Sequence, residues 1–158
     1  MRALNFIYKD RTMQKIISDL YETIEKYYPL LQSISKNALS DKPADKWSGK
    51  EELGHIIDSA LNNIQRFIRV QYEENVHILY HPDNWVEFNN YQNRDSKDLI
   101  ELWYLLNKQI TAILQKMPEN KYETLMSFDK DASVKNTTLF IAEDYVKHMT
   151  HHLESITK

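Results

Sequence analysis

Only two glycines, Gly49 and Gly54, occur in 158 residues. A chain folded into many short strands reverses often, and its turns draw on glycine for backbone angles that other residues resist. A chain this poor in glycine has few reversals, so it is built from a few long elements, which are helices. The same scarcity excludes every glycine-rich phosphate loop. Apolar periodicity then locates the elements.

The first helix runs from about Thr12 to the mid-30s, with Ile16, Leu20, Ile24, Tyr27 and Leu31 recurring at the helical period. Pro29 falls within it and is expected to kink it or end its regular part. "SKNALSDKPADKW" reads as a loop. Ser48-Gly49-Lys50-Glu51 is an S-x-x-E capping box that opens a second helix, expected to reach about Tyr72. The connection "EENVHILYHPDNWVEFNNYQNRDS" contains Pro82 and several asparagines, and loops of such length tend to be functional. A third helix begins near Ser96 and closes at Pro118, and the stretch that follows it can hold a short extended piece. A fourth helix begins near Thr137 or Thr138 and runs almost to the end. The expected fold is all-α: a four-helix bundle with long connecting loops, one domain over residues 1–158.

Composition narrows the function. A net charge of −3 without a basic stripe gives no footprint for nucleic acid. The absence of cysteine excludes disulfides and thiolate metal sites, so any reacting thiol must come from outside the chain. The apolar stretch in "MRALNFIYKDRT" is broken by Lys9, Asp10 and Arg11, so it does not read as a signal peptide. No run is long enough to span a bilayer. A cytoplasmic protein with no membrane partner is expected.

Three of the six histidines crowd into "DYVKHMTHHLESI". On a wheel of about 100° per residue, Ala142, Val146, Met149 and Leu153 form the buried stripe of the fourth helix. His148 and His152 lie on its shoulder, four residues apart on one side, which is a spacing that offers two nitrogens to one metal. His151 turns outward. The spacing alone leaves open the alternative of two half-buried polar histidines. A third ligand is not derivable from periodicity: His55 shares an arc with Glu52, Ser59, Asn62 and Arg66, opposite the core stripe of the second helix, and such an arc reads as solvated unless it lines a cleft. His77 and His81 fall in the long connection; they could serve as ligands but read first as surface residues.

Two segments together resemble the DinB/YfiT-like superfamily of metal-binding four-helix bundles. One is "KWSGKEELGHIIDSALNNIQRF", with Trp47-Ser48, Glu51, His55 and Asp58-Ser59. The other is "TLFIAEDYVKHMTHHLESI", with H-x-x-x-H at His148 and His152. "DNWVEFNNYQ" resembles the stretch leading into the third helix in part of that family. The resemblance implies that His55, His148 and His152 bind a divalent metal, zinc or nickel, and that the polar arc of His55 borders a metal cleft. His151 becomes a neighbour, and Glu52 and Asp144, each one turn before a ligand, become candidates to support the ligands.

Three protein nitrogens leave coordination positions open, as catalysis requires. Two chemistries then compete: activation of water for hydrolysis, and activation of a low-molecular-weight thiol for transfer to a small electrophile. The motif lacks the glutamate of HExxH, and no cationic clamp for phosphate is evident, so thiol transfer ranks first. Metal-dependent hydrolysis and a non-catalytic metal- or ligand-binding bundle are the alternatives. Trp85 and Tyr91 in the long connection are expected to wall the pocket beside the site. Relatives are often dimeric, which implies a homodimer.

Overall fold

The computed structural model describes residues 12–158. The expectation for "MRALNFIYKDRT" therefore falls almost wholly outside the described residues. Four long helices form a bundle: α1 (Met13–Ser33), α3 (Gly49–Arg69), α5 (Ser96–Lys116) and α6 (Thr138–Ile156). Two shorter helices, α2 (Lys36–Ser40) and α4 (Pro82–Asn89), lie in the connections. The link between α5 and α6 holds a small antiparallel pair, β1 (Leu125–Met126) and β2 (Asn136–Thr137).

Each long helix starts at a side-chain cap. The hydroxyls of Thr12 and Thr137 accept from Lys15 N and Phe140 N, and the Asp95 carboxylate accepts from Lys97 N. Ser48 and Glu51 form the reciprocal capping box read from the sequence. Pro29 does not end α1, which continues to Ser33. Its ring is exposed, and α1 bears both the missing backbone donor and the crowding of the ring against the preceding turn.

Helix contacts pair α1 with α5 and α6, and α3 with the same two, so α1 and α3 lie across one diagonal. Polar contacts give the directions. Glu52, in the first turn of α3, accepts from Ser155, in the last turn of α6, at 3.1 Å, so these helices are antiparallel. Gln92, just before α5, bonds Ser48, the cap of α3, at 2.5 Å, so α3 and α5 start at the same end. Tyr28 near the end of α1 donates to Glu101 near the start of α5. The order is therefore up, down, down, up.

This topology explains the long connection. The chain leaves α3 at one end and must begin α5 at the other. It has to travel back along a helix of 21 residues, roughly 30 Å at 1.5 Å per residue. Residues 70–95 make that return. They are tied at the far end by Ile78 N donating to Ser127 O and Ser127 N donating to Val76 O, at 3.1 and 2.9 Å. The segment is not the plain loop expected from its asparagines, since Pro82 occupies the first turn of α4 and Asn90 ends that helix in the left-handed region. The preceding helix also stops at Arg69, short of Tyr72, so that the crossover can begin.

Core packing is continuous. Leu20, Ile24, Leu53, Phe67, Trp103 and Leu153 are fully buried where the four long helices meet. Among the described residues no helix is long and apolar enough to cross a membrane.

Candidate metal centre

The polar arc of α3 is buried. His55, Asp58, Ser59, Asn62, Asn63 and Arg66 are each 6% exposed or less. Periodicity reads this arc as solvated, and the difference is tertiary: α6 packs on one side of it and the crossover on the other. A helix with an apolar stripe facing α5 thus has its polar stripe enclosed as well, and a polar group without water needs a partner or a function. The two asparagines find partners within α3. Asn62 donates to Asp58 O at 2.8 Å and Asn63 to Ser59 O at 2.9 Å.

Because α3 and α6 run antiparallel, the second turn of α3 meets the last turns of α6. His55, His148 and His152 converge there. One ring nitrogen from each lies within 4.8 Å of the other two, a grouping that could hold a metal ion. Ring centroids are 4.8–4.9 Å apart in all three pairs. His55 Nε2 lies 3.0 Å from His148 Nε2. Two nitrogens sharing a tetrahedral ion at ~2.0–2.1 Å would be roughly 3.3–3.4 Å apart, so small side-chain rotations suffice to seat one.

Electrostatics point the same way. Burial, followed by the neighbouring histidines, lowers the pKa of His55 to about 3 and that of His148 to about 4. Both rings are therefore neutral at neutral pH, the form that presents a lone pair. His152 Nδ1 lies 3.3 Å from Glu52 Oε2, and the other Glu52 oxygen accepts from Ser155. A carboxylate on Nδ1 fixes the tautomer that leaves Nε2 free. His55 Nδ1 is buried without a partner, and its ring packs 5.0 Å from that of Trp47. The donor set fits a borderline divalent ion such as zinc.

A cavity of ≈ 240 Å³ adjoins the cluster at His148. Ser59 and Arg66 of α3, Tyr80 of the crossover, Phe128 of the α5–α6 link and Asp144 of α6 line it. Leu79, Tyr80 and Pro82 bring the crossover to this wall. Trp85 and Tyr91 do not line it. Trp85 stands behind Tyr80 at 5.4 Å between ring centroids, and Tyr91 packs on α3. The Tyr91 hydroxyl donates to Asp58 Oδ1 at 2.5 Å, and Asn89 Nδ2 donates to the same oxygen at 3.1 Å. Burial pushes the pKa of Asp58 up to about 6 against the lowering effect of Tyr91, and burial likewise raises that of Tyr91.

The remaining sequence candidates fall elsewhere. His151 is exposed and its ring packs 5.5 Å from that of His152. His77 bonds Asp129 O at 3.0 Å, and His81 is exposed ahead of α4. Asn62 serves its own helix. Tyr80 and Phe128 were not legible as cavity residues, because irregular segments carry no periodicity. The one signal was the length of the connection.

A bundle with this order of helices and a histidine cluster between α3 and α6 defines a class of possible metal-binding four-helix proteins. The chain belongs to the DinB superfamily, whose model matches residues 19–156. It is similar in fold to YfiT from Bacillus subtilis, with a TM-score of 0.83 and 22% identity over 94% of this chain and 86% of the other. YfiT is described as a probable metal-dependent hydrolase with an unusual four-helix bundle topology. No curated protein matches the chain.

Proposed function

We propose that this protein is a metal-dependent enzyme that transfers a low-molecular-weight thiol to a small electrophile. His55, His148 and His152 hold a divalent ion, zinc or nickel, and the adjoining cavity takes the small-molecule substrate. The observation that carries the reading is the convergence of three buried or half-buried imidazoles beside a cavity.

When bound, a divalent ion supplies positive charge that acidifies a thiol ligand. The residues prepare for this in separate ways. His55 and His148 are kept neutral, so each offers a lone pair and, unlike a carboxylate ligand, leaves the ion's charge undiminished. Glu52 orients His152 through Nδ1 and is itself held by Ser155. Tyr80, Phe128 and Ile141 give the cavity apolar walls that limit water. Thiol chemistry suits this arrangement because Glu52, the carboxylate in contact with the cluster, is already occupied by His152 and Ser155. A hydrolase needs a base within hydrogen-bond reach of its water, which typically contributes ~10²–10⁴-fold.

One observation favours hydrolysis as the second reading. Asp144, one turn before His148, lines the same cavity, and the structurally similar YfiT is described as a probable metal-dependent hydrolase.

The experiment compares protein loaded with zinc and with nickel. It follows conjugation of 1-chloro-2,4-dinitrobenzene with several small thiols, beside hydrolysis of aryl esters and anilides. Thiol conjugation that is lost in His148→Ala and kept within about threefold in Asp144→Asn supports transfer, since loss of a positioned base would cost ~10²–10⁴-fold. Hydrolysis lost in both variants, without conjugation, establishes the second reading.

A further inference from the structure

Arg66 is a charged side chain in an unusual place. It is 6% exposed, sits on α3 and lines the cavity beside His148. Among the described residues no carboxylate stands within ion-pair distance of it. Its bonds go to neutral acceptors, with Nη1 donating to Asn63 Oδ1 at 3.3 Å and Nη2 to Ile78 O at 2.6 Å. Those two bonds use two of the five guanidinium N–H groups, and Nε is buried with no partner at all. Phe128 packs against the guanidinium, 5.3 Å from ring centroid to Cζ.

A buried charge with neutral partners is costly, and a ligand of opposite charge would offset that cost. Asp144 is the carboxylate on the same cavity, and it attracts Arg66 only at a distance beyond an ion pair. It is exposed, so water screens it more than it screens Arg66. The rest of the lining is largely apolar or aromatic: Leu79, Tyr80, Phe128, Ile141 and Tyr145. A carboxylate on a short apolar or aromatic body matches this lining, its charge at Arg66 and its far end toward His148.

We infer that Arg66 is the recognition residue for a carboxylate-bearing small molecule that occupies this cavity, with Tyr80 and Phe128 holding the apolar body. Arg66 also pins the crossover through the Ile78 carbonyl, so the anion site and the roof of the cavity share one side chain. The inference rests on the reading of the cavity as the substrate chamber, and it adds the substrate's charge.

The test uses full-length protein freed of metal with EDTA and dialysed, titrated calorimetrically with 3-phenylpropanoate and with 3-phenylpropanamide. The two probes share a body and differ in charge. The carboxylate is expected to bind at least ~10-fold tighter, the usual scale for one charge-assisted hydrogen bond. Arg66→Gln is expected to abolish that difference and Arg66→Lys to keep part of it. Equal affinity for the two probes in the wild-type protein, binding of neither, or a preference unchanged in Arg66→Gln overturns the inference. If Arg66→Gln does not fold, as judged by circular dichroism, the wild-type probe pair together with Arg66→Lys decides: a preference reduced in part or wholly in a folded Arg66→Lys supports an anion site built on the guanidinium fork, and an undiminished preference overturns it. Because no metal is present, this result is separate from the metal reading, which fails on its own if the protein takes up no zinc.

Discussion

At the scale of single residues, the site depends on histidines that resist protonation. In the metal-free protein His55 and His148 titrate at about 3 and about 4, whereas in the unfolded chain they titrate near ~6.5. Between those values the unfolded state binds more protons, so stability is lost as pH falls. Asp58 acts in the opposite sense, since its folded pKa of about 6 lies above its ordinary value. Two histidines outweigh one aspartate, and above about pH 6 they act unopposed. Urea midpoints of EDTA-treated protein are therefore expected to decline from about pH 6.5 toward 4, and Asp58→Asn should steepen the decline. A flat profile would show that these imidazoles are solvated. The sequence presented His148 and His152 as a pair through their spacing, but their neutrality arises from burial, which spacing does not encode.

At the scale of elements, the crossover is seated on α3 at one close approach. A Cβ at Gly54 would stand 2.0 Å from the Tyr91 ring. Glycine is required there for proximity, since its backbone is ordinary helix. Gly54→Ala must displace Tyr91 and with it the bond to Asp58. A loss of about 1–3 kcal/mol is expected from overpacking, read from urea unfolding. Faster hydrogen exchange at residues 82–93 should accompany it. Unchanged stability would mean that the ring is not seated on the helix. Gly54→Ala combined with Tyr91→Ala should recover part of the overpacking loss, because the small side chain removes the clash. The four long helices were legible because each carries an apolar stripe, and one opens with a capping box that the sequence displays. α2 and α4 were not, since a helix of 5 or 8 residues has too few turns for a period to stand out.

At the scale of the whole molecule, the histidine cluster joins α3 to α6, two helices distant in sequence. An ion bound only by the folded chain stabilises it by mass action, by ~2.7 kcal/mol at a free concentration one hundred times Kd. Zinc added to EDTA-treated protein should raise Tm by several degrees, roughly 5–11 °C at that concentration, at about 2–4 °C per kcal/mol for a chain of this size. The rise should vanish in His55→Ala, His148→Ala and His152→Ala and persist in His77→Ala, His81→Ala and His151→Ala, with scanning fluorimetry as the measurement. An equal rise in His148→Ala would place the ion elsewhere.

What the sequence determined by itself was local. Two glycines, four apolar stripes and the capping box specify long helices, because turn chemistry and helical periodicity act within a few residues of the chain. The i,i+4 histidines likewise share a face whatever packs on it. The resemblance to a known family carried His55 into the set of ligands, which periodicity had left on a solvated arc. Only the tertiary structure decided that the arc is buried. The up-down-down-up order forces the chain to return along the bundle between α3 and α5. That return covers Ser59 and Arg66 and brings Tyr80 to their side, while α6 and Trp47 pack against His55. Burial of a polar face depends on what a distant segment does, and a period of 3.6 residues carries no information about that.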